Sequence, residues 1–126
     1  MGFAGVRAGP MTDAGAIVVV RDAALASSLE LALLSAGFEP ILFGPEPGLE
    51  CLPLQRAGSL IIDQPLLGSR TAVFVAALRA RAWRGRVILL TDDSETLRPA
   101  LASADRVTLL EMPFQAATLI AALLAE

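Results

Sequence analysis

The side chains best placed for chemistry come directly after short apolar runs. Arg21 and Asp22 follow residues 16–20, and Asp63 follows residues 59–62. Thr91 and Asp92 follow residues 86–90, and Met112 and Pro113 come just beyond residues 107–110. A guanidinium, several carboxylates and a hydroxyl can make ion pairs, hydrogen bonds and oxygen ligands for a hard cation. Much other chemistry is excluded. The chain has no His, no Lys and no Tyr, and all ten basic residues are Arg. Ser-His-Asp triads, His zinc sites and phospho-histidine relays on this chain are ruled out. So are Schiff-base, P-loop and general-base lysines. No glycine-rich loop follows residues 16–20, where Val20-Arg21-Asp22-Ala23 stands instead of a phosphate cradle. With no nucleophile–base pair in view, the chain is not expected to be an enzyme. Cys51 stands alone, so no intramolecular disulfide or Cys-rich metal site can form, which points to a reducing, cytoplasmic setting.

The elements that must position these residues follow from the patterning. The 126 residues suffice for one domain and one core. A mean hydropathy of +0.63 is too apolar for disorder. The apolar runs nevertheless stop far short of the roughly 18 residues a membrane span needs. Short runs of this kind belong to a sheet buried on both faces. Residues 1–15 read as a flexible leader without the apolar core of a signal peptide, and residues 16–126 as the domain. Strands are expected at 16–20, 40–43, 59–62, 86–90 and 107–110. Helices are expected at 23–36, with Asp22 as N-cap and Gly37 as C′ residue, and at 70–81, with Val73, Phe74, Ala77 and Leu78 inward. A stunted helix opens at Pro45 and Pro47, carries Cys51 as a packing residue and closes at Pro53. Residues 94–104 form a helix shortened or kinked by Pro99, and 115–125 a last helix. Strict βα alternation with right-handed crossovers makes a single-domain α/β fold, a doubly wound, five-stranded parallel sheet. Ligands then bind at the carboxyl ends of the strands, where Arg21, Asp22, Asp63, Thr91, Asp92, Met112 and Pro113 lie.

From residue 16 onward the chain resembles the receiver domains of bacterial response regulators. Leu60-Ile61-Ile62-Asp63 resembles the strand that ends in the phospho-acceptor aspartate, and Val87-Ile88-Leu89-Leu90-Thr91 the strand that ends in the switch Thr or Ser. Glu111-Met112-Pro113-Phe114 resembles the Glu-Lys-Pro-Phe turn of FixJ-like receivers with the Lys replaced, and Ala36-Gly37-Phe38 ends a first helix of matching length. The resemblance implies the CheY- or flavodoxin-like strand order 2-1-3-4-5 and a cis peptide before Pro113. It also implies a site of five parts: two acidic metal ligands, the acceptor aspartate, the Thr or Ser, and a Lys. Only Asp63 and Thr91 match. The acidic pair falls on Val20 and Arg21, Asp22 comes one place late, the Lys falls on Met112, and the aromatic switch position on Leu109. Phosphoryl transfer depends on positioning and charge neutralisation, and the metal and Lys supply most of the latter. Arg21 can pair with Asp63 and stand where the metal's charge would stand. Asp92 would repel a phosphate. No metal and no other cofactor is expected.

The resemblance therefore implies a degenerate, stand-alone pseudo-receiver that acts by protein–protein contact without phosphorylation. The partner would be a histidine kinase, a response regulator, another signalling protein or a second copy. The last helix, with Leu119, Ile120, Leu123 and Leu124 on more than one face, is the expected interaction and dimer surface. The alternatives are a single-domain regulator weakly phosphorylated on Asp63, a receiver fragment of a longer regulator, and a small flavodoxin-like ligand binder. Arg79, Arg81, Arg84 and Arg86 around Trp83 read as a solvated helix end, with partner docking as the second reading. A net charge of −3 argues against nucleic acid, and no membrane partner is expected.

Overall fold

The most apolar runs become the strands at the centre of the sheet. The computed structural model describes residues 14–44 and 52–125. β1 (Gly15–Val19), β2 (Glu39–Leu42), β3 (Ser59–Asp63), β4 (Arg86–Thr91) and β5 (Val107–Glu111) form one sheet in the order β2-β1-β3-β4-β5. Every strand pair is parallel. This is the expected doubly wound 2-1-3-4-5 arrangement. α1 (Ala23–Ser35), α2 (Thr71–Ala80), α3 (Ser94–Ala100) and α4 (Ala116–Leu124) cover its two faces.

β1, β3 and β4 are buried at every position. Side chains alternate between the faces. Ile17, Val19, Leu60, Ile62, Val87 and Leu89 meet Val75 and Leu78 of α2 on one side. Ala16, Val18, Ile61, Ile88 and Leu90 meet Leu29 and Leu33 of α1 and Leu119 and Leu123 of α4 on the other.

Local signals set most boundaries. The Asp22 carboxylate accepts a hydrogen bond from the Ala24 N–H at 2.9 Å and caps α1. Gly37, with φ +92°, carries the chain out of that helix through the left-handed region. Three expectations need correction, and a fourth holds. β1 spans Gly15–Val19 rather than 16–20, and a Cβ at residue 15 would collide with the Arg56 carbonyl, so only glycine allows that approach. α2 turns Thr71, Val75 and Leu78 inward, leaves Phe74 half-buried, and leaves Val73 63% exposed with Ala77 also on the surface. Its sequence is apolar nearly all round, so periodicity does not select the buried face. α3 is short, as expected from Pro99, which lies in its last turn before Ala100. In α4, Leu119 and Leu123 are 0% and 8% exposed. The i, i+4 pair a nine-residue helix needs to seat on the sheet is spent on the core, so neither residue can belong to an interaction surface. Residues 1–13 and the expected short helix with Pro45, Pro47 and Cys51 lie outside the described residues. Leu54–Arg56 forms a single 3₁₀ turn. No helix among the described residues is long and apolar enough to cross a membrane.

Candidate functional site

Parallel register brings the ends of β1, β3, β4 and β5 to one edge of the sheet. Ile62 pairs with Val19, Asp63 with Leu90, and Thr91 with Glu111. The residues just beyond β1 therefore face Asp63 across the sheet's carboxyl edge. The Arg21 backbone N–H donates to Asp63 Oδ2 at 3.1 Å, and its side-chain Nε–H donates to the same oxygen at 3.4 Å. This is an ion pair of unequal burial, with the Arg21 side chain 60% exposed and the Asp63 side chain 11%. The backbone bond fixes the carboxylate, and the guanidinium reaches over it from solvent.

Thr91 is oriented elsewhere. Its hydroxyl donates to Gln64 Oε1 at 3.3 Å and accepts from the Asp93 N–H at 3.0 Å. The turn-capping role thus takes up its oxygen, and no bond joins it to Asp63. Gln64 is the residue that sequence reasoning missed. Its amide donates to Gly68 O at 3.2 Å and to Thr71 Oγ1 at 3.1 Å. Thr71 in turn donates to Gly68 O at 2.8 Å. One amide thereby ties the end of β4 to the start of α2. A second missed link joins Ser94 at the start of α3 to Glu111 at the end of β5, hydroxyl to carboxylate at 2.7 Å. No sequence signal marks either pair, since both unite residues far apart in the chain.

The remaining expected site residues scatter. Asp22 is committed to its helix cap. Asp92 is exposed. Met112 is half-buried and packs against the α1–α4 core layer as an apolar side chain. The Met112–Pro113 peptide is cis. Leu109 packs on the opposite, α2–α3 face. A hard divalent ion asks for several oxygen ligands. Among the described residues no three His, Cys, Asp or Glu side chains come together, and the one carboxylate at the centre of the edge is held by a cation. These residues do not fit a divalent metal.

The arginines around Trp83 do not form a solvated helix end. Trp83 is 5% exposed, and its indole N–H donates to the Ala57 carbonyl at 3.1 Å. Arg79 donates to the carbonyls of Trp83, Gly85 and Asp105 at 3.0, 2.9 and 2.6 Å, with its guanidinium carbon 5.8 Å from the Trp83 ring centroid. Burial lowers the Arg79 pKa from its ordinary value. Asp105 opposes that shift, while Arg106 and Arg84 add to it. Arg86 is buried and donates to the Ala125 carbonyl, tying β4 to the end of α4. Arg81 and Arg84 are exposed. Two of the four arginines therefore serve the fold.

No protein-family model and no curated protein matches the sequence. Solved structures do match. Two structures of the Vibrio cholerae chemotaxis response regulator CheY4 superpose with TM-scores of 0.69 and 0.68 at 19% and 18% identity. A response regulator receiver protein from Burkholderia phymatum superposes with a TM-score of 0.62 at 25% identity. Each alignment covers 86% of this chain and 94% of the other. The chain has the CheY-like fold.

Proposed function

We propose that the chain is a receiver-like module of two-component signalling that works by protein–protein contact, with Asp63 held by Arg21 rather than phosphorylated. The observation that carries this reading is the ion pair at 3.4 Å. A phospho-acceptor carboxylate must meet a phosphoryl donor whose negative charge has been neutralised, and fixed cations and metal ions do that work. Here the nearest cation is already spent on the acceptor itself. The position that would neutralise the product's charge is Met112, packed into the core layer. Thr91 is engaged by Gln64 and the Asp93 N–H. A regulator that does not switch chemically acts through its surface. Leu31 and Leu34 on α1 are 67% and 54% exposed, and Leu124 on α4 is 66% exposed. These apolar side chains support contact with a kinase, a regulator, another signalling protein or a second copy.

An amide NMR titration with magnesium, then with beryllium fluoride as phosphoryl mimic, tests the reading, together with intact mass after acetyl phosphate. The expected result is no saturable shift at Asp63 or Thr91 and no added phosphate. Shifts clustered at those residues, with a one-phosphate mass gain lost in Asp63→Asn, would establish the second reading, weak phosphorylation on Asp63. That reading draws on the exposure of Arg21, which could swing aside.

A further inference from the structure

The face of the sheet away from α1 and α4 carries a groove that the signalling reading does not use. It runs along α2 and measures about 420 Å³. Leu66, Val73, Phe74 and Ala77 line its apolar middle, and Arg70 and Arg81 stand at its two ends. The arrangement follows from helix geometry. Positions 70, 74, 77 and 81 are spaced i, i+4, i+7 and i+11, so they fall along one side of the helix. At about 1.5 Å of rise per residue, the two arginines are separated by roughly 16 Å along the axis. Both are exposed, and neither has a carboxylate within ion-pair distance among the described residues.

We infer that this groove docks a helical segment of a partner protein whose apolar face is bracketed by a carboxylate at each end. The middle of the groove offers aliphatic and aromatic surface without polar groups converging on one point, as a small polar ligand would need. The spacing of the two positions along the axis exceeds a small metabolite and equals about three turns of helix. A helix laid beside α2 buries an apolar stripe and places its end carboxylates against Arg70 and Arg81, the helix-in-groove mode with the partner's charges specified. The protein's own net charge of −3 repels an acidic partner over most of the surface, so the two arginines select this face.

The probe is a fluorescein-labelled amphipathic helix of about four turns, with Leu along one stripe and Glu at both ends of that stripe. A second probe carries Lys in place of both Glu residues. Fluorescence anisotropy should show saturable binding of the Glu probe and at least about tenfold weaker binding of the Lys probe. The double variant Arg70→Glu/Arg81→Glu should reverse that preference. Recovered binding of the Lys probe also reports that the variant is folded. Val73→Glu, at an exposed position, should weaken both probes. Equal binding of the two probes, no binding of either up to millimolar concentration, or an unchanged preference in the double variant would each overturn the inference. None of these results depends on whether Asp63 is phosphorylated.

Discussion

At the carboxyl edge of the sheet Arg21 reaches one carboxylate oxygen from solvent, whereas at the amino edge Arg79 is ringed by three carbonyls and lies against the Trp83 ring. Arg79 gathers the end of α2, the entry to β4 and the loop before β5. Ala82 and Arg106, both beside this cluster, hold left-handed backbone with φ +65° and +60°. Such a conformation costs a non-glycine residue about 1–2 kcal/mol and persists only where its surroundings over-determine it. Arg21 gathers nothing beyond Asp63. The same residue type is a structural clamp at one edge and a solvent-exposed partner of a single carboxylate at the other. What separates them is the number of fixed acceptors and the depth of burial.

The sharpest way to break the contrast is Trp83→Ala. Truncating a buried aromatic leaves a cavity and costs about 3–5 kcal/mol, and here the Ala57 carbonyl also loses its indole donor. Against a total stability of about 5–15 kcal/mol for such domains, urea unfolding should shift to much lower denaturant. A loss under about 1 kcal/mol would put the amino edge on a level with the carboxyl edge and remove the distinction. Arg79→Met comes next. It keeps most of the aliphatic stem and deletes the three donated bonds, for an expected loss of about 2–3 kcal/mol in the same assay. Thr91→Val, at the carboxyl edge, preserves volume and removes the bonds to Gln64 and the Asp93 N–H, with an expected loss of about 1 kcal/mol.

How much of this was legible in the sequence depends on whether a residue's role is set by its neighbours in the chain. Strands buried on both faces announce themselves as apolar runs, so the order of elements and the edge carrying Arg21, Asp63 and Thr91 could be read directly. Asp22 and Gly37 mark the ends of α1 through local backbone geometry, which is why those boundaries hold. α2 and α4 were not fully legible. Their sequences are apolar around most of the helix, and only packing on the sheet chooses Val75 over Val73, or Leu119 and Leu123 over Leu124. Trp83 among arginines reads as a surface cluster, because nothing local reveals that the Ala57 carbonyl waits beneath the ring. Gln64 falls between the expected strand at 59–62 and the expected helix at 70–81, with no local pattern to single it out. Its partners Thr91 and Thr71 come from different elements, and only the parallel register assembles them.

The smallest effect is expected at Arg21. Arg21→Ala removes the guanidinium from Asp63 but leaves the Arg21 backbone N–H that also holds the carboxylate at 3.1 Å. With the guanidinium 60% exposed and the carboxylate still held by the backbone N–H, its loss is expected to cost about 0.2–1 kcal/mol, as for a solvated pair. Stability should therefore fall by no more than that, and the difference from wild type should shrink as salt rises from about 0.1 M to 1 M, where the Debye length drops to about 3 Å. The Arg79→Met deficit should change little over the same range, because those bonds run to carbonyls rather than to a mobile charge. A salt-insensitive loss of about 2 kcal/mol or more in Arg21→Ala would mean that Arg21 is as structural as Arg79. The carboxyl edge would then be a second clamp, and its cation could not be read as standing over an otherwise accessible carboxylate.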